Sequence, residues 1–342
     1  MPAAPPAESA AAAIRRPAAR WQQELADAIR DPAELAAAVD LDVATPPWTD
    51  ALATGFPLLV PRGFVARMRK GDPRDPLLLQ VLPRHEELQE AEGFVADPLG
   101  ERESLAAPGL VRKYHGRVLL LLAGGCAVNC RYCFRREFPY AESGVGRAGL
   151  EEAMAAIAAD ESVSEVILSG GEPLLVDDAR LAALVARLGE IPHLRRLRIH
   201  TRLPVVIPSR VTPELVAALA SSRLKPVVVM HVNHPAEFDV DVMAGVRRLS
   251  AGGVLVFNQA VLLAGVNDSL EVLLSLCERL VDGGVVPYYL HLLDRVRGAA
   301  HFEVDVETAT RLHRGLRERL PGYAVPRLVR EIPGEQSKIP IP

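Results

Sequence analysis

A chain of 342 residues can hold one large domain or two ordinary ones, and with 49% hydrophobic and 24% charged residues it can bury a sizeable core. The formal net charge of -4 speaks against a nucleic-acid binder, and no apolar run reaches the roughly 20 residues that a membrane-spanning helix needs. Three of the four cysteines fall between Cys126 and Cys133, which is a metal-site spacing and not the spread of pairs that a disulfide framework requires.

Residues 1–13 are rich in Ala and Pro and lack the basic start and continuous apolar stretch of a secretory signal. They are expected to form a disordered tail on a cytoplasmic protein. Residues 14–110 read as a helical region. The stretches 21–30 and 31–39 space apolar residues at helical intervals, and Asp31 before Pro32 is an N-cap followed by proline at the first helical position.

From residue 111 the pattern changes. Short apolar runs at 118–123, 165–168, 197–200, 226–231, 255–263 and 285–293 alternate with helix candidates near 147–160, 177–190, 212–221, 237–251, 268–282 and 305–319. Continuous apolar strands are buried on both faces, and β–α alternation makes the sheet parallel. The class is α/β, and six strands over 111–330 suggest a partial (β/α)6 barrel, with an open doubly wound sheet as the alternative that periodicity alone leaves. A short segment, 331–342, follows it and carries Lys338. Unusual polar clusters trail the strands: Cys126, Ser169-Gly-Gly-Glu-Pro173, Thr201-Arg202, His231, Asn258-Gln259 and Asp294. Barrel enzymes build their sites on that face.

The loop Gly124-Gly-Cys-Ala-Val-Asn-Cys-Arg-Tyr-Cys-Phe-Arg-Arg136 has the spacing C-x3-C-x2-C. Three thiolates can hold three irons of a cubane and leave the fourth iron open to an exogenous ligand. Structural zinc is the competing reading. It needs a fourth ligand, from Cys277 or from a histidine such as His231. Cys277 lies in an apolar helical stretch and reads better as a buried free thiol. In Ser169-Gly-Gly-Glu-Pro173, Gly170 and Gly171 permit close backbone approach to a ligand.

Together the two motifs resemble the radical S-adenosylmethionine superfamily, whose open iron chelates that cofactor. Longer strings resemble the lysine 2,3-aminomutases within it: Tyr114-His-Gly-Arg117, Cys133-Phe-Arg-Arg136, Thr201-Arg-Leu-Pro-Val-Val206, His231-Val-Asn-His-Pro235, Asn258 to Asp268, Pro287-Tyr-Tyr-Leu290 and Gly322-Tyr-Ala-Val-Pro326. The stretch 60–79 and the short end after Lys338 are most similar to the branch of that family that serves elongation factor P. The resemblance implies a radical SAM type of partial barrel, an isomerase, and three cofactors: a [4Fe–4S] cluster, S-adenosylmethionine and pyridoxal phosphate.

It also implies roles. Cys126, Cys130 and Cys133 would ligate the cluster. Gly170, Gly171, Glu172, His231 and Gln259 would contact S-adenosylmethionine. Lys338 would carry pyridoxal phosphate, with Tyr114 beside it and Arg117 on its phosphate, where a planar guanidinium suits the oxygens. Arg135 would clamp the substrate carboxylate through its fork, while Asp294 and Glu331 would receive the distal ammonium of L-lysine. Glu331 departs from the aspartate of the lysine enzymes by one methylene. Arg131 and Arg136 read as electrostatic or structural. The implied partners are an electron donor such as flavodoxin or ferredoxin, and elongation factor P with its lysyl-transferring ligase. Rival readings are a metabolic mutase for free lysine, a glutamate or arginine mutase, and a non-catalytic iron–sulfur or zinc scaffold.

Overall fold

The structure, a computed structural model, describes residues 18–42, 54–140, 142–143 and 147–342; the tail expected at 1–13 lies outside them. Over its described residues the N-terminal region is less helical than expected. Its α-helices are short: α1 (Arg20–Ala26), α2 (Pro32–Ala38), α3 (Arg62–Val65) and α4 (Pro76–Leu79). Proline accounts for this. Pro57, Pro61, Pro73, Pro76, Pro83 and Pro98 recur along the segment, and a helix can begin at a proline but does not run through one. Asp31 caps α2 through the Ala33 N–H, as its sequence context suggests. The region ends in two strands that no periodicity announced, β1 (Leu105–Ala107) and β2 (Leu110–Tyr114).

The barrel then follows in order: β3 (Arg117–Ala123), α5 (Arg147–Ala159), β4 (Glu165–Gly170), α6 (Asp178–Glu190), β5 (Arg196–Thr201), the short α7 (Leu203–Val206), α8 (Pro213–Ala220), β6 (Lys225–His231), α9 (Val240–Ala251), β7 (Leu255–Val261), α10 (Leu270–Asp282), β8 (Val286–His291), α11 (Val306–Arg319), β9 (Arg327–Arg330) and β10 (Ile339–Pro340). Strands neighbour one another in chain order, and β3 to β9 run parallel. The six expected strands are β3 to β8. The seventh, β9, was missed because its four residues are Arg-Leu-Val-Arg, too short and too charged to read as a buried run. Asp177, Thr212, Asp239, Ser269 and Asp305 accept first-turn N–H bonds at the starts of α6, α8, α9, α10 and α11.

Alternation along the strands sorts the core from the chamber. Leu197 and Ile199 of β5 join the helix-facing core with Leu181, Leu184 and Leu188 of α6. Arg198 and His200, between and beyond them, take the opposite face. The described strands do not close on themselves, since β1 and β10 are the ends of the order. An ion pair crosses the open seam instead: Lys113 on β2 reaches Glu331, just past β9, at 2.7 Å. Among the described residues no helix is long and apolar enough to cross a membrane.

Candidate active site

The cysteine loop leaves the C-terminal end of β3 and is held by the glycine-rich turn after β4. Gly171 N–H donates to the Ala123 carbonyl at 2.7 Å, and Glu172 N–H to the Gly125 carbonyl at 2.8 Å. A Cβ on Gly171 would stand 2.1 Å from the Gly125 oxygen, and one on Gly170, whose φ is 118°, would stand 2.6 Å from the Ala123 oxygen. Both glycines are therefore required by this docking before any ligand is considered. The Glu172 carboxylate is fully committed. It accepts from Thr201 Oγ1 and from the backbone N–H groups of Leu174, Arg202 and Leu203. Its side chain has no capacity left for S-adenosylmethionine, so only its backbone can serve the role expected of it.

Cys126, Cys130 and Cys133 are all partly buried. Burial pushes the Cys133 thiol up to about 11 and raises Cys126 as well, and in each case the neighbouring cysteines add to the rise. Cys277 stands apart in the core of α10. Burial pushes it up to about 12, with Glu278 as its one charged neighbour of note. It is no partner of the other three. Among the described residues no group of three or more His, Cys, Asp and Glu is arranged to hold a single metal ion.

Three arginines punctuate this loop, and the N-terminal region supplies an acid for each. Arg131 is wholly buried and bonds Glu87 through Nε and Nη2. Arg136 reaches the same carboxylate at 2.7 Å. These two are structural, as anticipated. Arg135 differs from expectation. Its Nε and Nη2 already grip Glu101 at 2.7 and 2.9 Å, and Nη1 donates to Ser169 Oγ at 2.9 Å and the Gly170 carbonyl at 3.3 Å. The fork thought to await a substrate carboxylate holds a carboxylate of the chain itself. Burial opposes the Arg135 charge, but Glu101 outweighs it and keeps the guanidinium charged.

Behind Cys130 lies a fourth arginine. Arg202 donates to Cys130 Sγ and to Tyr132 Oη, both at 2.7 Å, and to Gln80 Oε1 and Glu237. Asn233 joins through Gln80 and Tyr132. His231 lies 3.2 Å from Tyr132 Oη, and burial pushes its imidazole down to about 3, so it is neutral. Gln259 pairs with it in register on β7. Two of the residues expected at S-adenosylmethionine are thus neighbours, and His231 touches the cysteine loop through Tyr132.

The residues expected at pyridoxal phosphate and at the substrate ammonium are spread along the barrel: Asp294 and Glu331 follow the C-terminal ends of β8 and β9, and Lys338 lies beside Glu331, whereas Arg117 and Tyr114 pair at the N-terminal end of β3. Arg117 begins β3, about 20 Å along the strand from its C-terminal end. Its guanidinium stacks 4.7 Å over the Tyr114 ring and borders a cavity of about 520 Å³ that His115, His193 and Arg196 also line. Lys338 bonds Glu331 and lies 5.9 Å from the Tyr289 ring centroid. Burial would raise Glu331, but Lys338 and Lys113 hold it well below the usual carboxylate range. Burial pushes Asp294 up to about 7, with the Glu331 charge adding to it. Tyr114 is raised by burial and by Glu331. Glu331 is therefore the shared neighbour of Lys338, Asp294 and Tyr114, and Arg117 joins them only through its stack on Tyr114. Glu331 is not open, however, since both its oxygens face lysines of this chain.

Sequence reading missed Gln80, Glu87, Glu101 and Lys113. None lies in a motif, and a lone acid in a polar turn gives no signal. Two outcomes follow from this geometry. Replacing Cys126, Cys130 or Cys133 by Ala is expected to abolish cluster assembly, whereas Cys277→Ala leaves about four irons per chain; iron and sulfide analysis after anaerobic reconstitution checks this. Glu87→Gln strips two buried arginines of their acid and is expected to cost about 3–5 kcal/mol, read as a lower denaturant midpoint of the apoprotein.

Comparison with known proteins agrees with this arrangement. Residues 120–277 match the Radical SAM superfamily. Over 327 residues, 94% of this chain and 94% of the relative, the sequence is 48% identical to the L-lysine 2,3-aminomutase of Escherichia coli. It is 46% identical to that of Haemophilus influenzae, over 93% of this chain and 94% of the relative. The Clostridium subterminale L-lysine 2,3-aminomutase is 38% identical over 81% of this chain, but the match covers only 67% of that longer protein. By identity over nearly its whole length, this chain belongs to the L-lysine 2,3-aminomutase family of radical SAM enzymes.

Proposed function

We propose that this enzyme isomerises L-lysine to β-lysine, and that the product is destined for elongation factor P. The observation that carries the first part is the pair of acids, Asp294 and Glu331, in one chamber with Lys338. A lysine side chain ends in a cation, and burying it unpaired would cost several kcal/mol. A glutamate mutase would need donors there instead. The second part rests on size. The chain aligns with 94% of the relatives of Escherichia coli and Haemophilus influenzae but with only 67% of the longer Clostridium subterminale enzyme, and its stretch 60–79 resembles the branch that serves elongation factor P.

Radical SAM lysine 2,3-aminomutases are isomerases that use a [4Fe–4S] cluster, S-adenosylmethionine and pyridoxal phosphate. The residues here fit those groups: three thiols on one loop, a glycine turn without side chains docked beside them, and a lysine whose carboxylate partner Glu331 also neighbours the Tyr114 ring that Arg117 stacks on. The bound cofactors supply a hydrogen-abstracting radical and a carrier for the migrating amino group. In this reading the chain's own work is positional. Cys126, Cys130 and Cys133 hold the cluster. Gly170, Gly171, the Glu172 backbone, His231 and Gln259 line the S-adenosylmethionine seat. Lys338 holds pyridoxal phosphate, with Tyr114 beside it and Arg117 toward its phosphate. Glu331 gains an open oxygen once Lys338 turns to the cofactor, and Lys113 keeps the other. The substrate ammonium then falls between Glu331 and Asp294, and the substrate carboxylate meets Arg135. A small electron-transfer protein such as flavodoxin or ferredoxin reduces the cluster.

Anaerobic assay of the reconstituted enzyme with lysine and with glutamate, followed by chiral product analysis, tests the reaction; equal turnover of the two would sink it. Deleting the gene and weighing intact elongation factor P tests the destination, which fails if the β-lysyl mass persists. Lys338→Ala is expected to lose the cofactor's absorbance while keeping its iron. Asp294 must be charged to receive an ammonium, so kcat/KM for lysine is expected to fall as pH drops through about 7. Loss of the Lys338 charge in the loaded enzyme moves that inflection upward, not down. Asp294→Asn keeps the shape, removes the inflection, and is expected to cost about two to four decades in kcat/KM.

A further inference from the structure

Arg135 has five N–H groups. Four acceptors already face them: both oxygens of Glu101, Ser169 Oγ and the Gly170 carbonyl. Among the described residues, one N–H, on Nη2, is left without an acceptor and is available to a ligand. Glu101 is itself held from behind. Its side chain is 4% exposed, and the Asp97 carboxylate accepts from the backbone N–H groups of Glu101 and Arg102 at 3.1 and 3.2 Å. The turn at Gly100, with φ 60°, brings it into place. A buried, bidentate arginine–carboxylate pair is among the most directional contacts in a protein. It also makes the pair neutral, so an incoming carboxylate is drawn by one aimed N–H and not by a surplus of charge.

We propose that Glu101 is a positioning residue for the reaction: by gripping the Nε–Nη2 edge of Arg135 it fixes the single remaining N–H, and with it the seat of the substrate carboxylate. The proposal rests on the reading of Arg135 as the carboxylate-binding residue. Its consequence is kinetic. A freed guanidinium still attracts a carboxylate, but it no longer sets the substrate's β-carbon against the abstracting radical. Displacement of about 1 Å can cost on the order of a hundredfold in rate with little loss of binding.

The experiment compares the parent holoenzyme with Glu101→Gln, Glu101→Asp, Arg135→Gln and the double variant Glu101→Gln/Arg135→Gln. Glu101→Gln is expected to keep its iron and pyridoxal phosphate, and to bind lysine within about threefold of the parent, read as the absorbance change on lysine addition. Its kcat is expected to fall about tenfold to a hundredfold. Methionine and 5′-deoxyadenosine released per β-lysine should rise, because hydrogen removed from a misplaced carbon is not returned. Glu101→Asp should recover part of the loss, and the double variant should be no slower than Arg135→Gln alone. An unchanged kcat and product ratio in Glu101→Gln overturns the proposal. So does loss of iron or cofactor in both Glu101→Gln and Glu101→Asp, which would mark a purely structural acid. An Arg135→Gln enzyme that turns lysine over like the parent overturns the reading of Arg135, and the proposal with it.

Discussion

Positive charge buried beside three thiols is the constraint on which this molecule is built. Arg131, Arg135, Arg136 and Arg202 all lie in or behind the cysteine loop, each nearly or wholly out of water. An unpaired guanidinium there would cost several kcal/mol. Every one has a fixed acid: Glu87 for two, Glu101 for the third, Glu237 for the fourth. Gln80 extends the last pair and joins it to Tyr132 and Asn233. The pairing immobilises the loop, as a cluster ligated at only three corners demands.

That constraint explains the N-terminal region. It has little helix and adds only two short strands to the sheet, so it is not a second domain in the sense of a separate core. Its residues between Gln80 and Glu101 place polar groups against barrel arginines. Leu77, Leu78 and Val81 anchor it in the same hydrophobic cluster as the barrel strands.

The chamber is polarised around its rim. Neutral His231 ends β6 and the thiols follow β3, while the lysines and acids around Glu331 occupy the seam between the first and last strands. That seam carries no backbone ladder among the described residues. A side-chain ion pair can part without breaking a sheet, and Glu331 trades one lysine for another in the proposed reaction.

Local chemistry made much of this legible from the amino-acid order. Thiol spacing marked the cluster loop, paired glycines marked the turn that docks on it, and apolar runs alternating with capped helices marked six of the seven parallel strands. These are signals carried by neighbours in the chain. The short N-terminal helices were obscured because apolar spacing outvoted the recurring prolines. What the sequence could not decide is which charge meets which. Glu101 and Arg135 are 34 residues apart, Glu87 and Arg131 are 44, and Lys113 and Glu331 are 218. An acid's identity is written in the sequence, but its partner is chosen by burial, which removes water as the alternative and leaves each guanidinium the one carboxylate the fold brings within reach.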